Sequence, residues 1–219
     1  MALRSQIRVT LGRKGQGKSY LMGADMEQRV SKPFVIIDYG QEHFSFAKAH
    51  PNAWLLPIQA DMIGRINWHA LLERWHGLVV YPDMIAFDVF TEEVDRLMFA
   101  ILDVGGRVVM VEEVQELAPQ FGQVKPGFRR LIDQGRKHKI DILAASLKPA
   151  EVSKTLIAQA DDFILFNIHE PNALDYLKRC GIPIDQLPAL PQFVAIYFCP
   201  QTGELRRVRA GERKFKHYG

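Results

Sequence analysis

The residues Gly12-Arg13-Lys14-Gly15-Gln16-Gly17-Lys18-Ser19 match the phosphate-binding pattern G-x-x-x-x-G-K-[ST] at every fixed position. Glycines in such a loop let the backbone curl until successive N–H groups point at phosphate oxygens, and a following helix N-terminus adds partial positive charge. Lys18 is positioned to reach the β- and γ-phosphates of a nucleoside triphosphate, and the Ser19 hydroxyl to ligate magnesium. Arg13 and Lys14 add positive charge inside the loop, and Gln16 and Tyr20 complete the stretch expected to face the nucleotide. A second group with chemical potential is the pair Glu112-Glu113, directly after the apolar run Val108-Val109-Met110-Val111. A phosphate-loop enzyme needs one carboxylate to hold hydrated magnesium, and many need another to orient or deprotonate the attacking water. Glu112 occupies the metal position and Glu113 the water-activating position. Asp is usual at the first of these; Glu is one methylene longer and can act through a metal-bound water. Without the phosphate loop, two solvated acids at a strand end would explain the pair equally well.

These residues need a scaffold that brings them together, and the patterning supplies one. Ile7 to Leu11 alternates like a short strand, and Tyr20 to Val30 has helix composition with Leu21, Met22, Met26 and Val30 on one face. Pro33 to Asp38 is a continuous apolar run ending in a carboxylate, as buried parallel strands are. Trp54-Leu55-Leu56 reads as a short strand, Asn67 to His76 as a helix, and Gly77 to Tyr81 as another strand. Thr91 to Leu102 is a predicted helix with Thr91 as its cap and Gly105-Gly106 at its end. Pro126-Gly127 opens a helix over 128–137, and Ile140 to Ser146 reads as a strand. A helix over 151–159, a strand over 162–167 and a helix over 171–180 follow. Phe193 to Phe198 pairs with Leu205 to Val208 as a hairpin. Strands alternating with helices predict a mostly parallel, doubly wound α/β sheet, with core strands 7–11, 34–38, 108–111, 141–145 and 162–167.

Composition narrows the class. The 219 residues, 47% hydrophobic and 24% charged, suit one globular α/β domain, with a core over 1–180 and an extension over 181–219. No apolar run approaches the ~18 residues a membrane span needs, and the first strand begins too early for a signal peptide. Cys180 and Cys199 suggest neither a disulfide framework nor a zinc site. From Arg206 onward, Arg206, Arg207, Arg209, Arg213, Lys214 and Lys216 face Glu212 alone, so any surface for an anionic polymer is local.

Taken in order, several stretches resemble the FtsK/HerA-type ATPases. Val108 to Pro119 is similar to their apolar strand, acidic pair and "x-x-x-E-L-x-P". Gln134-Gly135-Arg136-Lys137-His138-Lys139-Ile140 is similar to their "G-R-x-x-x-[VI]". Ala145-Ser146-Leu147-Lys148-Pro149 is similar to their "S-Q-R-P" segment. The likeness covers 105–180 and the phosphate loop, and is weak over 41–100. It implies a RecA-like ASCE fold, in which the strand after Arg136 lies between the two nucleotide-binding strands. It further implies ATP and Mg2+ at the interfaces of a homo-hexamer, with double-stranded DNA in its channel. The short chain most resembles the compact genome-packaging ATPases of membrane-containing double-stranded DNA viruses. Those would work in the host-cell cytoplasm or on the virion, with capsid or membrane-vertex proteins as partners. One departure stands out, because Leu147 replaces the family's sensor Gln; Ser146 is then the better sensor candidate, with Lys148 next.

Arg136 is the candidate arginine finger for a neighbour's nucleotide, with Arg129 and Arg130 as alternatives on the same helix; an ordinary salt bridge is the competing reading. Two further function classes stay open. Zot-type phage assembly ATPases share the fold but normally carry a membrane span. A small-molecule P-loop kinase would carry an Arg-rich lid and would not need Glu113.

Overall fold

The computed structural model describes residues 6–209. Nine strands form one sheet: β1 (Ile7–Leu11), β2 (Phe34–Ile37), β3 (Ala53–Ile58), β4 (Gly77–Pro82), β5 (Val108–Val111), β6 (Asp141–Ser146), β7 (Asp162–Leu165), β8 (Val194–Cys199) and β9 (Glu204–Arg209). Their order is β3-β4-β2-β5-β6-β1-β7-β8-β9. The first seven are parallel, and β8 and β9 close the sheet as an antiparallel hairpin. The expected parallel sheet and C-terminal hairpin are both present. So is the inserted strand, since β6 lies between β1 and β5.

Helices on both faces explain the strand composition. The Phe34–Ile37 and Val108–Val111 runs are apolar at every position because every side chain meets a covered face. One core gathers Leu11, Val35, Val109 and Leu131, and a second gathers Met22, Met26, Ile36, Val108 and Met110. Met22 and Met26 belong to α1 (Lys18–Glu27), which starts two residues earlier than its periodicity predicts. A short α2 (Phe44–Ala49), unreadable in the sequence, packs Phe46 against Phe34. Asn67 caps α3 (Trp68–Arg74), accepting from the Ala70 N–H.

The helix expected from Thr91 starts a turn sooner, as α4 (Phe87–Val104). Thr91 is therefore not its cap. Its hydroxyl donates to the Phe87 carbonyl at 2.6 Å and accepts from the buried Tyr39 hydroxyl at 2.9 Å. Beyond the strand β5, Pro126 opens α5 (Pro126–Gln134), where its missing N–H costs nothing. Ser153 caps α6 (Lys154–Gln159), and α7 (Pro171–Arg179) precedes the connector to the hairpin. No described helix is long and apolar enough to cross a membrane. Arg213, Lys214 and Lys216 of the basic cluster lie outside the described residues.

Strand register places the chemistry. Leu11 pairs with Ser146, and Val111 with Ala144, so the segments leaving β1, β5 and β6 emerge side by side. Gly12, Glu112 and Ser146 therefore share one edge of the sheet, the carboxyl ends of parallel strands, where α/β folds bind ligands.

Candidate active site

At that edge a pocket of about 580 Å³ is lined by Lys14, Gly15, Gly17, Lys18, Ser19, Glu112, Glu113, Ser146 and Leu147, with Gly40, Glu42 and Phe193 among the others. The loop's conformation depends on its glycines. Gly12 sits at φ 153°, where an added Cβ would lie 2.5 Å from the Phe166 Cβ. Gly17, at φ 97°, turns the chain into α1. The Lys18 ammonium is buried and donates to the Arg13 carbonyl at 2.8 Å, across the hollow of the loop. Burial pushes Lys18 down to about 8, against the pull of Glu113, Glu112 and Glu42.

The acidic pair is set by two different devices. Glu112 is buried, and its Oε1 lies 2.7 Å from the His43 Nε2. An ionised carboxylate only accepts, so Nε2 carries the proton. Burial raises the Glu112 carboxyl, but His43, the Ser19 hydroxyl and Lys18 together hold it below its ordinary value. Ser19 and Glu112 thus line the same pocket, close enough for the hydroxyl to favour the ionised carboxylate. His43 is in turn fixed by Asp38, whose carboxylate accepts the Glu42 and His43 N–H groups at 2.9 and 2.8 Å. Burial raises the Asp38 carboxyl above its ordinary value, the charge of His43 opposing it.

Glu113 is placed by its backbone. Consecutive residues of a strand point to opposite faces, so an extended chain would aim Glu112 and Glu113 apart. At φ 48° and ψ 49° Glu113 is instead left-handed, and both carboxylates line the same pocket. The Gln115 amide donates to Glu113 Oε2 at 2.7 Å, and Gln115 Oε1 accepts from the Ser146 hydroxyl at 2.7 Å. Ser146 Oγ also accepts the Lys148 N–H at 2.9 Å. Ser146 thus reaches Glu113 through Gln115, a residue the sequence reading missed.

The remaining expected residues divide. Gly12, Arg13, Gln16 and Tyr20 do not line the pocket. Arg13 turns towards His169, 2.6 Å away, and Glu170. Lys148 is exposed and pairs with Glu151. Arg136 precedes β6 and bonds Asp161, which precedes β7, so it sits at the opposite end of the sheet from its own phosphate loop. Arg129 pairs with Asp133, and Arg130 lies over the Phe99 ring. Arg129 also lines a separate pocket of about 550 Å³ beside the Pro119–Val124 loop, which shares none of the residues above.

Magnesium and nucleotide suit this donor set. Ser19 and Glu112 offer hard oxygen ligands beside a buried cation, which is what a magnesium–phosphate group requires.

An inserted strand between the phosphate-loop and acidic strands decides the fold. The chain has a P-loop NTPase fold. It is homologous to the DNA packaging ATPase P9 of Enterobacteria phage PRD1, at 28% identity over 131 residues, covering 56% of this chain and 55% of that protein. Protein P9 of Pseudoalteromonas phage PM2 is 33% identical over 86 residues, covering 39% and 37%. The chain thus spans about half or less of the curated relatives it matches. No family model matches. Among solved structures, the genome packaging NTPase B204 of Sulfolobus turreted icosahedral virus 2, with AMP bound, superposes at a TM-score of 0.71. That match is 19% identical and covers 94% of this chain and 97% of that one. Asp38, His43 and Gln115, which support the acidic pair, and Phe193, which lines the pocket, were marked by no sequence motif.

Proposed function

We propose that this chain is an ATP-hydrolysing motor that moves double-stranded DNA, a viral genome-packaging ATPase working as a homo-hexameric ring. The pocket shared by the phosphate loop, Glu112 and Glu113 carries the reading, because it joins the loop to an acid with a second acid beside it. The named packaging function of the PRD1 and STIV2 relatives supports the DNA substrate.

In this reading Lys18 leaves the Arg13 carbonyl for the β- and γ-phosphate oxygens, and the loop N–H groups hold the rest of the phosphate chain. Ser19 and Glu112 would hold magnesium, which would supply positive charge beside the phosphate oxygens. Glu113 takes a proton from water as the water oxygen bonds the γ-phosphorus. The bond to the β–γ bridging oxygen breaks, releasing ADP and phosphate. His43 keeps Glu112 ionised and oriented, and Gln115 orients Glu113. Arg136, remote from its own nucleotide, serves a neighbour's in the ring and stabilises the transferring phosphoryl group. The ring works in the host-cell cytoplasm or on the virion, against capsid or membrane-vertex proteins.

The test is ATP turnover with and without duplex DNA, on a sample whose mass is measured in the same buffer. A hexamer stimulated by duplex is expected. A monomer with DNA-independent turnover and a small-molecule phosphate acceptor would replace the motor with a kinase.

A further inference from the structure

The phosphate end of the pocket is accounted for, whereas the flank away from the carboxylates holds a side chain with no assigned task. Phe193 lines the pocket and is 48% exposed, a large apolar ring left open to solvent. Its backbone is left-handed, at φ 64°, a conformation that costs a non-glycine residue about 1–2 kcal/mol. Such cost persists where the surroundings impose it, often at ligand-facing positions.

The surroundings here are specific. Next to Phe193, Gln192 donates its amide to the Gly15 carbonyl at 3.0 Å, pinning the connector to the phosphate loop. Asn167, just past β7, donates to the Pro188 and Leu190 carbonyls, both at 3.0 Å. The Val194 N–H closes a turn on the Pro191 carbonyl at 3.2 Å. Three sets of hydrogen bonds therefore hold a strained, exposed phenyl ring over the pocket.

Sheet order says what the ring would meet. Glu112 and Glu113 leave β5, and Phe193 enters β8, with β6, β1 and β7 between them. Because β8 runs antiparallel, with Ile196 opposite Leu165, its first residue lies at the same edge as the phosphate loop. A triphosphate whose γ end lies at Ser19 and the acidic pair must extend its other end away from β5. That direction leads towards β7 and β8.

We propose that Phe193 is the nucleobase platform of this site, stacking a purine ring whose phosphates the loop holds; this rests on the ATP reading above. The ring face offers stacking without hydrogen-bond readout, so it favours large bases over small ones rather than adenine over guanine. Since Val194 begins β8, base binding also bears directly on the hairpin that carries Arg206, Arg207 and Arg209.

The experiment compares equilibrium binding of Mg-ATP and of inorganic tripolyphosphate to the full chain and to Phe193→Ala. Stacking on an aromatic ring is worth roughly 1–3 kcal/mol per base, so ATP affinity should fall about tenfold or more. Tripolyphosphate affinity should stay unchanged, and Phe193→Trp should recover ATP binding with its emission quenched by the base. Equal weakening of both ligands, or of neither, overturns the assignment. A wild-type chain that binds tripolyphosphate no more weakly than ATP overturns it as well, while one that binds neither overturns the nucleotide reading itself.

Discussion

Glu113 combines a proposed chemical role with the strained backbone conformation that places it, and the two can be separated experimentally. Its φ of 48° and ψ of 49° place an L-residue in the left-handed region, at about 1–2 kcal/mol. Glu113→Ala and Glu113→Gly both delete the carboxylate and its 2.7 Å bond from Gln115, so those losses cancel between the two variants. What differs is the left-handed backbone, which glycine adopts freely, less the extra freedom glycine gains when unfolded, about 0.4–1 kcal/mol. The balance leaves Glu113→Gly more stable than Glu113→Ala by about 0–1.6 kcal/mol. For a chain of this size one kcal/mol moves the melting midpoint by about 2–4 °C, so a gap of up to roughly 6 °C in that direction is expected by calorimetry. Both variants should lose hydrolysis by about 10²-fold or more while still binding ATP, as general-base removal predicts. If Glu113→Ala melts at or above Glu113→Gly, the strain is not there. If either variant turns over at the wild-type rate, Glu113 is not the base.

Three more expectations follow from contacts already described. Gln115→Ala should slow turnover about tenfold without weakening ATP binding, Ser146→Ala should act in the same direction, and the double variant should be no worse than Gln115→Ala alone; additive losses would mean that Ser146 acts on the phosphate by itself. Gly12→Ala should lower the melting midpoint by about 2–10 °C, because its Cβ would meet the Phe166 Cβ at 2.5 Å and overpacking costs about 1–3 kcal/mol; an unchanged midpoint would show that the loop relaxes freely. Arg136→Ala should bind ATP yet hydrolyse it poorly, whereas Asp161→Asn, which removes the charge of the partner but keeps an acceptor for the Ile7 N–H, should retain turnover; equal loss in both would make the pair structural.

Half of the site was legible because its residues are close in the chain and their spacing is itself the mechanism. Gly12 to Ser19 must be contiguous for backbone N–H groups to converge, and the acidic pair must follow a buried strand, so a linear reading finds both. The rest depends on contacts between distant segments. His43 meets Glu112 across 69 residues, and Gln192 meets Gly15 across 177. Residues 41–75 gave the weakest signal because α2 is too short to show a period and β3 is half exposed on the sheet's edge. The helix start at Thr91 was misread for a related reason. A hydroxyl ahead of two glutamates looks like a cap, yet burial against Tyr39 made it an interior residue.

Asp38 shows what a better reading could have used. A carboxylate at the end of a buried strand cannot stay ionised without donors, and here the N–H groups of residues 42 and 43 supply them. Such a turn delivers the side chain at position 43 to the neighbouring strand end, which here carries Glu112, since β2 pairs with β5 and Ile37 with Val111. An acid buried there needs a proton donor, and residue 43 is a histidine. Glu112 is therefore supported from the strand beside it, and Glu113 through Gln115 from the strand on the other side. Each carboxylate of the pair is held by a different neighbour of β5, which allows one to be disturbed without the other.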